Sequence, residues 1–193
     1  MGVSGASGSV YGFRILEKLR AVPGIEIHLI LTRAAEKTAH IEMNRPVKDF
    51  KALAHFVHPV EDIGSRIASG SFQTSGMIVA PCSIQSMSAI ATGVSSNLLI
   101  RAADVCLKER RKLILLVRET PFHLGHLRTM VSLTEMGAII APPVPAFYHH
   151  PESVLDIVDH TVDRVLDLLG VPSPDARRWN GRSAARDPGM EDQ

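Results

Sequence analysis

Short aliphatic runs alternate with amphipathic stretches along most of this chain, and this alternation restricts the fold more than any other feature. Four runs have the length and composition of buried strands: 25–31, 77–80, 113–117 and 138–141. Four stretches repeat apolar residues at close to helical spacing: 10–19, 98–109, 123–136 and 154–169. Strands that alternate with helices predict an α/β fold of three layers, in which helices cover both faces of a parallel sheet.

The composition fits one compact domain and disfavours a nucleic-acid or membrane function. The chain has 193 residues, 45% of them hydrophobic, and its 21 basic and 20 acidic residues leave a net charge of +1. A nucleic-acid-binding surface would need an excess of basic residues, and no apolar run approaches the roughly 20 residues that cross a bilayer. Two cysteines and no recognisable signal peptide predict a cytoplasmic protein. We expect a single domain over 1–181 and a flexible polar tail over 182–193.

A glycine- and serine-rich turn occupies residues 2–8. Gly2, Gly5 and Gly8 leave room for a ligand near the backbone, and the next helix would direct its first N–H groups to the same place. Such a turn is typical of sites that bind a phosphate or another anion. A tight strand-to-helix connection would have a similar sequence, because the turn does not match the dinucleotide-binding fingerprint. We expect that the strand before the turn is very short or that some natural N-terminal residues are missing from this sequence.

Hydroxyl-bearing turns also follow two other predicted strands. Thr32 comes directly after the second strand, and Ser83 and Ser86 follow the third. Ser83 would also cap a helix, so its hydroxyl has a structural explanation as well. Because the carboxyl ends of parallel strands meet at one edge of a sheet, we expect these turns to converge there. Arg118 follows another buried strand at the same edge, where a guanidinium suits phosphate recognition.

Basic residues and a proline-rich loop complete the candidate site. Arg101 and Lys108 are seven residues apart and therefore share one helix face, although charged residues on a helix usually face solvent. The loop 142–149 contains three prolines and ends near Tyr148, whose hydroxyl could bind a ligand; a rigid connector is the alternative. Arg164 interrupts the apolar and acidic pattern of the last helix.

A metal site is not expected. His123 and His126 have the spacing of two zinc ligands on a helix, but no third ligand accompanies them in a recognisable motif. The chain also lacks a nucleophile elbow of the Gly-x-Ser-x-Gly type.

Several of these segments resemble the UbiX-like flavin prenyltransferase family, which includes small subunits of hydroxyarylate decarboxylases. The resemblance runs from residue 2 to about residue 179, and six segments carry it: 4–8, 81–86, 101–111, 118–121, 126–127 and 142–148. The basic segment 101–111 and the Arg-Glu-Thr-Pro sequence at 118–121 are the most specific to that family.

The resemblance implies a Rossmann-like flavoprotein that assembles as a homododecamer. Such an enzyme would join the dimethylallyl group of dimethylallyl monophosphate to N5 and C6 of reduced FMN, without a metal. The product, prenylated FMN, would serve UbiD-like decarboxylases.

The resemblance also assigns roles residue by residue. Ser7, Glu42 and Glu119 match catalytic residues, with Ser7 near the flavin N5. The residues that match flavin contacts are Gly5, Ala6, Ser7, Thr32, Ser83, Ile84, Gln85, Ser86 and Arg118. Those that match contacts to the prenyl phosphate or its surroundings are Arg101, Lys108, Tyr148, Arg164 and Trp179, some of them reaching in from neighbouring subunits.

Two other functions are compatible with the sequence. The chain could be an FMN-binding accessory subunit of a hydroxyarylate decarboxylase, but an accessory subunit would not need the intact basic set. It could also be a flavin-dependent cysteine decarboxylase, although that chemistry would require a base such as histidine near the flavin and a different substrate clamp.

Overall fold

The computed structural model describes residues 1–173, which form a six-stranded sheet between two layers of helices. The strands are β1 (Gly2–Val3), β2 (His28–Leu31), β3 (Phe56–His58), β4 (Gly76–Cys82), β5 (Lys112–Val117) and β6 (Ile139–Ile140). The helices are α1 (Ser9–Ala21), α2 (Arg33–Met43), α3 (Val47–Leu53), α4 (Ile84–Thr92), α5 (Leu98–Lys108), α6 (Leu124–Glu135) and α7 (Val154–Leu169), and a 3₁₀ turn covers Arg66–Ala68.

The sheet is parallel throughout, with the strand order β3-β2-β1-β4-β5-β6. From β1 the chain first builds one half of the sheet out to β3, and then returns to build the other half from β4. This is the doubly wound arrangement of Rossmann-like folds, so the predicted α/β fold is confirmed. The reversal places a crevice at the carboxyl ends of β1 and β4. We call the residues that directly follow the carboxyl ends of the strands the rim.

Each face of the sheet has its own apolar core. Ile78 of β4 and Leu116 of β5 belong to the core beneath α1 and α7. Their neighbours Val79 and Leu115 belong to the core beneath α4, α5 and α6. Successive side chains of a strand point to opposite faces of the sheet. Because helices cover both faces, the residues on each face are apolar, and β4 and β5 therefore have continuous apolar sequences.

Helix α7 is fixed at both ends and along its length. The Ser153 side chain and the Asp156 carboxylate form a capping box at its start, and Gly170, at φ 93°, ends it. The Arg14 guanidinium of α1 binds the Asp159 carboxylate of α7 through two contacts of 2.7 Å. These contacts fix the rotation of α7 about its own axis.

Some elements differ from the sequence prediction. The strand predicted over 25–31 begins only at His28. Strand β3 was not expected, since it has three residues at the sheet edge and exposes Phe56 and Val57. Trp179 and the predicted boundary at 181 lie outside the described residues. None of the helices within residues 1–173 is long and apolar enough to cross a membrane.

Candidate functional site

The centre of the rim is the pair of turns that follow β1 and β4. One buried side chain, that of Ser4, joins them. Its hydroxyl donates to the Pro81 carbonyl oxygen at 2.9 Å and accepts from the Ser83 N–H at 2.7 Å. The side chain is 1% exposed. Sequence reasoning treated Ser4 only as one of several turn hydroxyls, because its partners are 77 and 79 residues away.

Two glycines of the first turn are required by its geometry. A Cβ on Gly5 would lie 2.4 Å from the Cβ of Ala34, so α2 packs directly against this backbone. Gly8 has φ 99°, a left-handed conformation that other residues rarely adopt, and it precedes the first residue of α1. Between them, Ala6 is buried and Ser7 is exposed at the tip of the turn. The turn thus presents backbone and one hydroxyl to the crevice.

The anion at the start of α1 is the chain's own Glu42 carboxylate. It accepts hydrogen bonds from the Gly8 N–H at 3.0 Å and the Ser9 N–H at 2.8 Å. Burial by itself would raise the pKa of this carboxyl, but hydrogen bonds from the Ser7 side chain and from the two N–H groups outweigh it and lower the pKa. The glycine turn is therefore an anion site, as the sequence suggested, but a side chain occupies it.

The other two hydroxyl-bearing turns cap helices. Ser83 accepts from the Ser86 N–H at 3.2 Å at the start of α4, and its own hydroxyl donates to Ser86 Oγ at 3.1 Å. Thr32 accepts from the Ala35 N–H at 3.1 Å at the start of α2. The capping role that the sequence left open for Ser83 is thus present, and Thr32 has the same role at α2. Ile84 and Gln85 lie in the first turn of α4, with Gln85 exposed on the rim.

Arg118 and Glu119 stand beside the second turn. The Arg118 N–H donates to the Cys82 carbonyl oxygen at 3.1 Å, which ties the end of β5 to the end of β4, while the Arg118 side chain is exposed. The Glu119 carboxylate accepts from the Thr120 N–H at 3.0 Å. One chain therefore collects on its rim all nine residues that match flavin contacts, with Glu119 beside them. Glu42 reaches the first turn through its hydrogen bonds with Gly8 and Ser9.

The residues expected around the prenyl phosphate are not collected in the same way. Arg101 binds the Asp104 carboxylate at 2.7 Å and the Ala68 carbonyl oxygen at 3.2 Å. Lys108 is the last residue of α5 and pairs with Glu109. At 1.5 Å per residue it lies about 10 Å further along the helix than Arg101. Lys108 is therefore at the end of the molecule where β5 begins, opposite to the rim.

Tyr148 and Arg164 are related through helix α7. The Tyr148 hydroxyl lies 2.7 Å from Nε2 of His160, which is four residues before Arg164 and hence on the same helix face. The Arg164 side chain is exposed. Sequence reasoning missed His160, because nothing in the pattern of α7 distinguishes it from a partly buried core histidine.

The pair His123 and His126 has a structural explanation. Nδ1 of His123 accepts from the N–H of Gly125 at 3.0 Å and caps α6. Within residues 1–173, no group of three or more His, Cys, Asp and Glu side chains is arranged to hold a metal ion.

A cavity of about 680 Å³ lies at the other end of the sheet, away from the rim. It opens between β2 and β4 because β1 pairs with them only through Gly2 and Val3. Its lining includes Ile27, Gly76 and Cys106 and none of the candidate flavin residues. The cavity is therefore separate from the candidate site at the rim.

Comparison with known proteins identifies a matching family and similar sequences. The family described as Flavoprotein matches residues 1–166. A protein named flavin prenyltransferase UbiX from Escherichia coli strain K12 is 51% identical over 183 residues, which cover 94% of this chain and 97% of that protein.

Two crystal structures are similar in fold and sequence. A dodecameric FMN-dependent UbiX-like decarboxylase from Escherichia coli O157:H7 superposes with a TM-score of 0.90 at 46% identity, covering 94% of this chain and all of the other. AnUbiX (PadA1), solved with FMN and dimethylallyl pyrophosphate, superposes with a TM-score of 0.92 at 43% identity, covering 94% of this chain and 96% of the other.

Proposed function

This chain belongs to the UbiX-like flavin prenyltransferases, and from that premise we propose that it joins the dimethylallyl group of dimethylallyl monophosphate to N5 and C6 of reduced FMN. The observation that carries the proposal is its close similarity to flavin prenyltransferases over nearly the whole chain, combined with a rim that gathers every candidate flavin contact. Reduced FMN supplies the nucleophilic nitrogen and ring carbon when it is bound.

We assign the flavin to the crevice between the turns after β1 and β4. Gly5, Ala6 and Ser7 offer a flat stretch of backbone for the ring system. Because Glu42 already accepts from the first N–H groups of α1, we assign the flavin phosphate to other rim groups, among them the Arg118 guanidinium. Thr32 and the residues from Ser83 to Ser86 supply the remaining polar contacts.

The prenyl transfer requires charge stabilisation and a route for one proton. The phosphate would leave with the electron pair of its bond to carbon, and the allylic carbon would then bond to N5, which would lose its proton. Ring closure would add a proton to the alkene carbon, bond the resulting tertiary carbon to C6 and release the proton of C6, so that it consumes no further proton overall. We propose that Glu119 accepts the proton of N5. The hydrogen bond between the Ser7 side chain and the Glu42 carboxylate orients Ser7. The apolar loop around Phe147 keeps water away from the allylic cation.

The phosphate of the substrate needs cations that one rim lacks. We propose that Arg101, Lys108 and Arg164 reach this phosphate from neighbouring subunits of a dodecamer, together with Tyr148 and Trp179. Three apolar side chains on α6 support such an assembly, since Leu124, Leu127 and Val131 share one helix face and are 59%, 46% and 57% exposed.

Prenylated FMN is a cofactor, so its consumer must be another enzyme, and we propose a UbiD-like decarboxylase. A cytoplasmic location, expected from the two buried free cysteines, stays a prediction.

The test is anaerobic incubation of the protein with reduced FMN and dimethylallyl monophosphate, followed by mass spectrometry of the flavin. We expect a flavin heavier by one C5 unit. The same assay with dimethylallyl pyrophosphate decides which donor is used. FMN-loaded, fully assembled protein that forms no adduct with either donor would instead indicate the accessory-subunit function.

A matched variant separates catalysis from binding. Glu119→Gln keeps the size of the side chain and removes its proton-accepting charge, so we expect FMN to bind while prenylation slows strongly. Unchanged turnover would contradict the proton role of Glu119.

A further inference from the structure

We propose that His160 is a positioning residue for the prenyl-phosphate site, which holds the Tyr148 hydroxyl so that its proton points toward the substrate phosphate. The inference rests on the proposed function, in which Tyr148 contacts that phosphate.

The first support is the geometry around Tyr148. Its hydroxyl oxygen lies 2.7 Å from Nε2 of His160, and the two rings meet edge to face with centroids 5.3 Å apart. The His149 ring stacks on His160 at 4.3 Å with an angle of 8° between the planes. The three rings form one block, and Tyr148 is 46% exposed.

The second support is the difference in rigidity between the two partners. Tyr148 belongs to a segment without regular secondary structure between β6 and α7. His160 lies in α7 between Asp159 and Asp163, which bind Arg14 and Lys18 of α1. The hydrogen bond therefore ties a loop hydroxyl to a helix that is fixed on the core.

The third support is the direction of the hydroxyl proton. A tyrosine hydroxyl has one proton and can either donate to His160 or donate to a phosphate oxygen. A phosphate bears only acceptors, so Tyr148 must donate to it, and His160 must then donate to Tyr148 from Nε2. A neutral imidazole can do this in the tautomer that carries its proton on Nε2.

The charges around His160 are consistent with a neutral ring. Burial and, to a smaller degree, the neighbouring His149 lower the pKa of His160, while Asp163 raises it. Charged groups near this face of α7 include Asp156 one turn before His160, Arg164 one turn after it, and Asp159, which is paired with Arg14.

Three variants test the inference. His160→Phe keeps an aromatic ring and removes the hydrogen bond, whereas His160→Gln places an amide N–H near the position of Nε2. Tyr148→Phe removes the hydroxyl itself. His150→Gln is a control for substitution in the same loop, because His150 is an exposed neighbour outside the ring block.

The readouts are KM for dimethylallyl monophosphate, kcat, the Kd of FMN, and the Kd of dimethylallyl monophosphate on FMN-loaded assembled protein by calorimetry. We expect His160→Phe to raise KM and the substrate Kd about five- to tenfold, the value of one lost hydrogen bond. FMN affinity should not change, and His160→Gln should recover most of the loss. Tyr148→Phe combined with His160→Phe should be no worse than Tyr148→Phe alone.

Three results would overturn the inference: an unchanged KM and substrate Kd in His160→Phe, equal damage in His160→Gln and His160→Phe, or additive losses in the double variant. If the wild-type protein binds the substrate but makes no adduct, the proposed function is wrong, and the calorimetry still tests the role of His160. If it binds no substrate, both are wrong.

Discussion

Replacing Ser4 by alanine tests whether the two turns of the rim act as one unit. The substitution removes both hydrogen bonds of the Ser4 hydroxyl. The Pro81 carbonyl oxygen keeps a bond from the Ser4 N–H at 3.2 Å, but the partly buried Ser83 N–H loses the acceptor it has in the wild-type protein. An unsatisfied N–H of this kind costs about 1.5 kcal/mol of unfolding free energy, which corresponds to a fall in Tm of about 3–6 °C for a chain of this size.

The same change should weaken FMN binding. In Ser4→Ala the Ser83 N–H is no longer bonded to the first turn. The two turns that form the crevice must then become ordered when FMN binds, and this ordering reduces the binding free energy. We expect the Kd of FMN to rise about tenfold, the equivalent of about 1.4 kcal/mol. Thermal unfolding of the apoprotein and titration of flavin fluorescence measure the two effects, at one protein concentration because an oligomer has a concentration-dependent Tm.

Ser95→Ala is the matched control, since Ser95 is an exposed serine between α4 and α5. Its effect on stability should stay within about 0.5 kcal/mol. If Ser4→Ala has the same Tm and the same FMN affinity as this control, the reasoning about the joined turns is wrong.

Three further predictions concern the two ends of the contact between α1 and the sheet and the buried thiol of β4. Glu42→Gln should lower the free energy of unfolding by about 0.5–1 kcal/mol at pH 7, because it removes a charge from a helix N-terminus. Since the pKa of Glu42 is lowered in the folded protein, this difference is fully present above the ordinary pKa of a glutamate and disappears as the pH falls through the lowered pKa. Urea unfolding at a series of pH values would show this dependence. Burial raises the pKa of Cys82 to about 12, so its thiol should not react with a disulfide reagent at pH 8 until the protein unfolds; rapid reaction in the native state would contradict this burial. Gly12→Ala should destabilise the protein by about 1–3 kcal/mol, because the new Cβ would lie 2.4 Å from the Ala80 carbonyl oxygen, and an unchanged Tm would show that α1 can move away from β4.

Much of the sheet could be predicted because its signal is local. β4 and β5 are buried on both faces, so their aliphatic runs identify them without knowledge of their neighbours. The short edge strand β3 and the helix α2 lack such apolar runs, and each packs on a neighbouring element, β3 on β2 and α2 on α1.

The candidate flavin residues could also be located from the sequence, since each follows the end of a predicted strand and parallel strands bring such ends to one rim. The sequence alone could not show which hydroxyls serve the backbone. Ser4 and Ser83 look equivalent in sequence, yet one joins two turns and the other caps a helix.

The sequence by itself determined the α/β layering, the position of the rim and the family, because strand length, helical period and motif spacing are properties of contiguous residues. Only the tertiary structure decided that Glu42 occupies the start of α1, that Ser4 joins the two walls of the crevice, and that His160 holds Tyr148. Each of these is a contact between residues far apart in the chain or on different elements, and its existence depends on the angle and distance at which those elements pack.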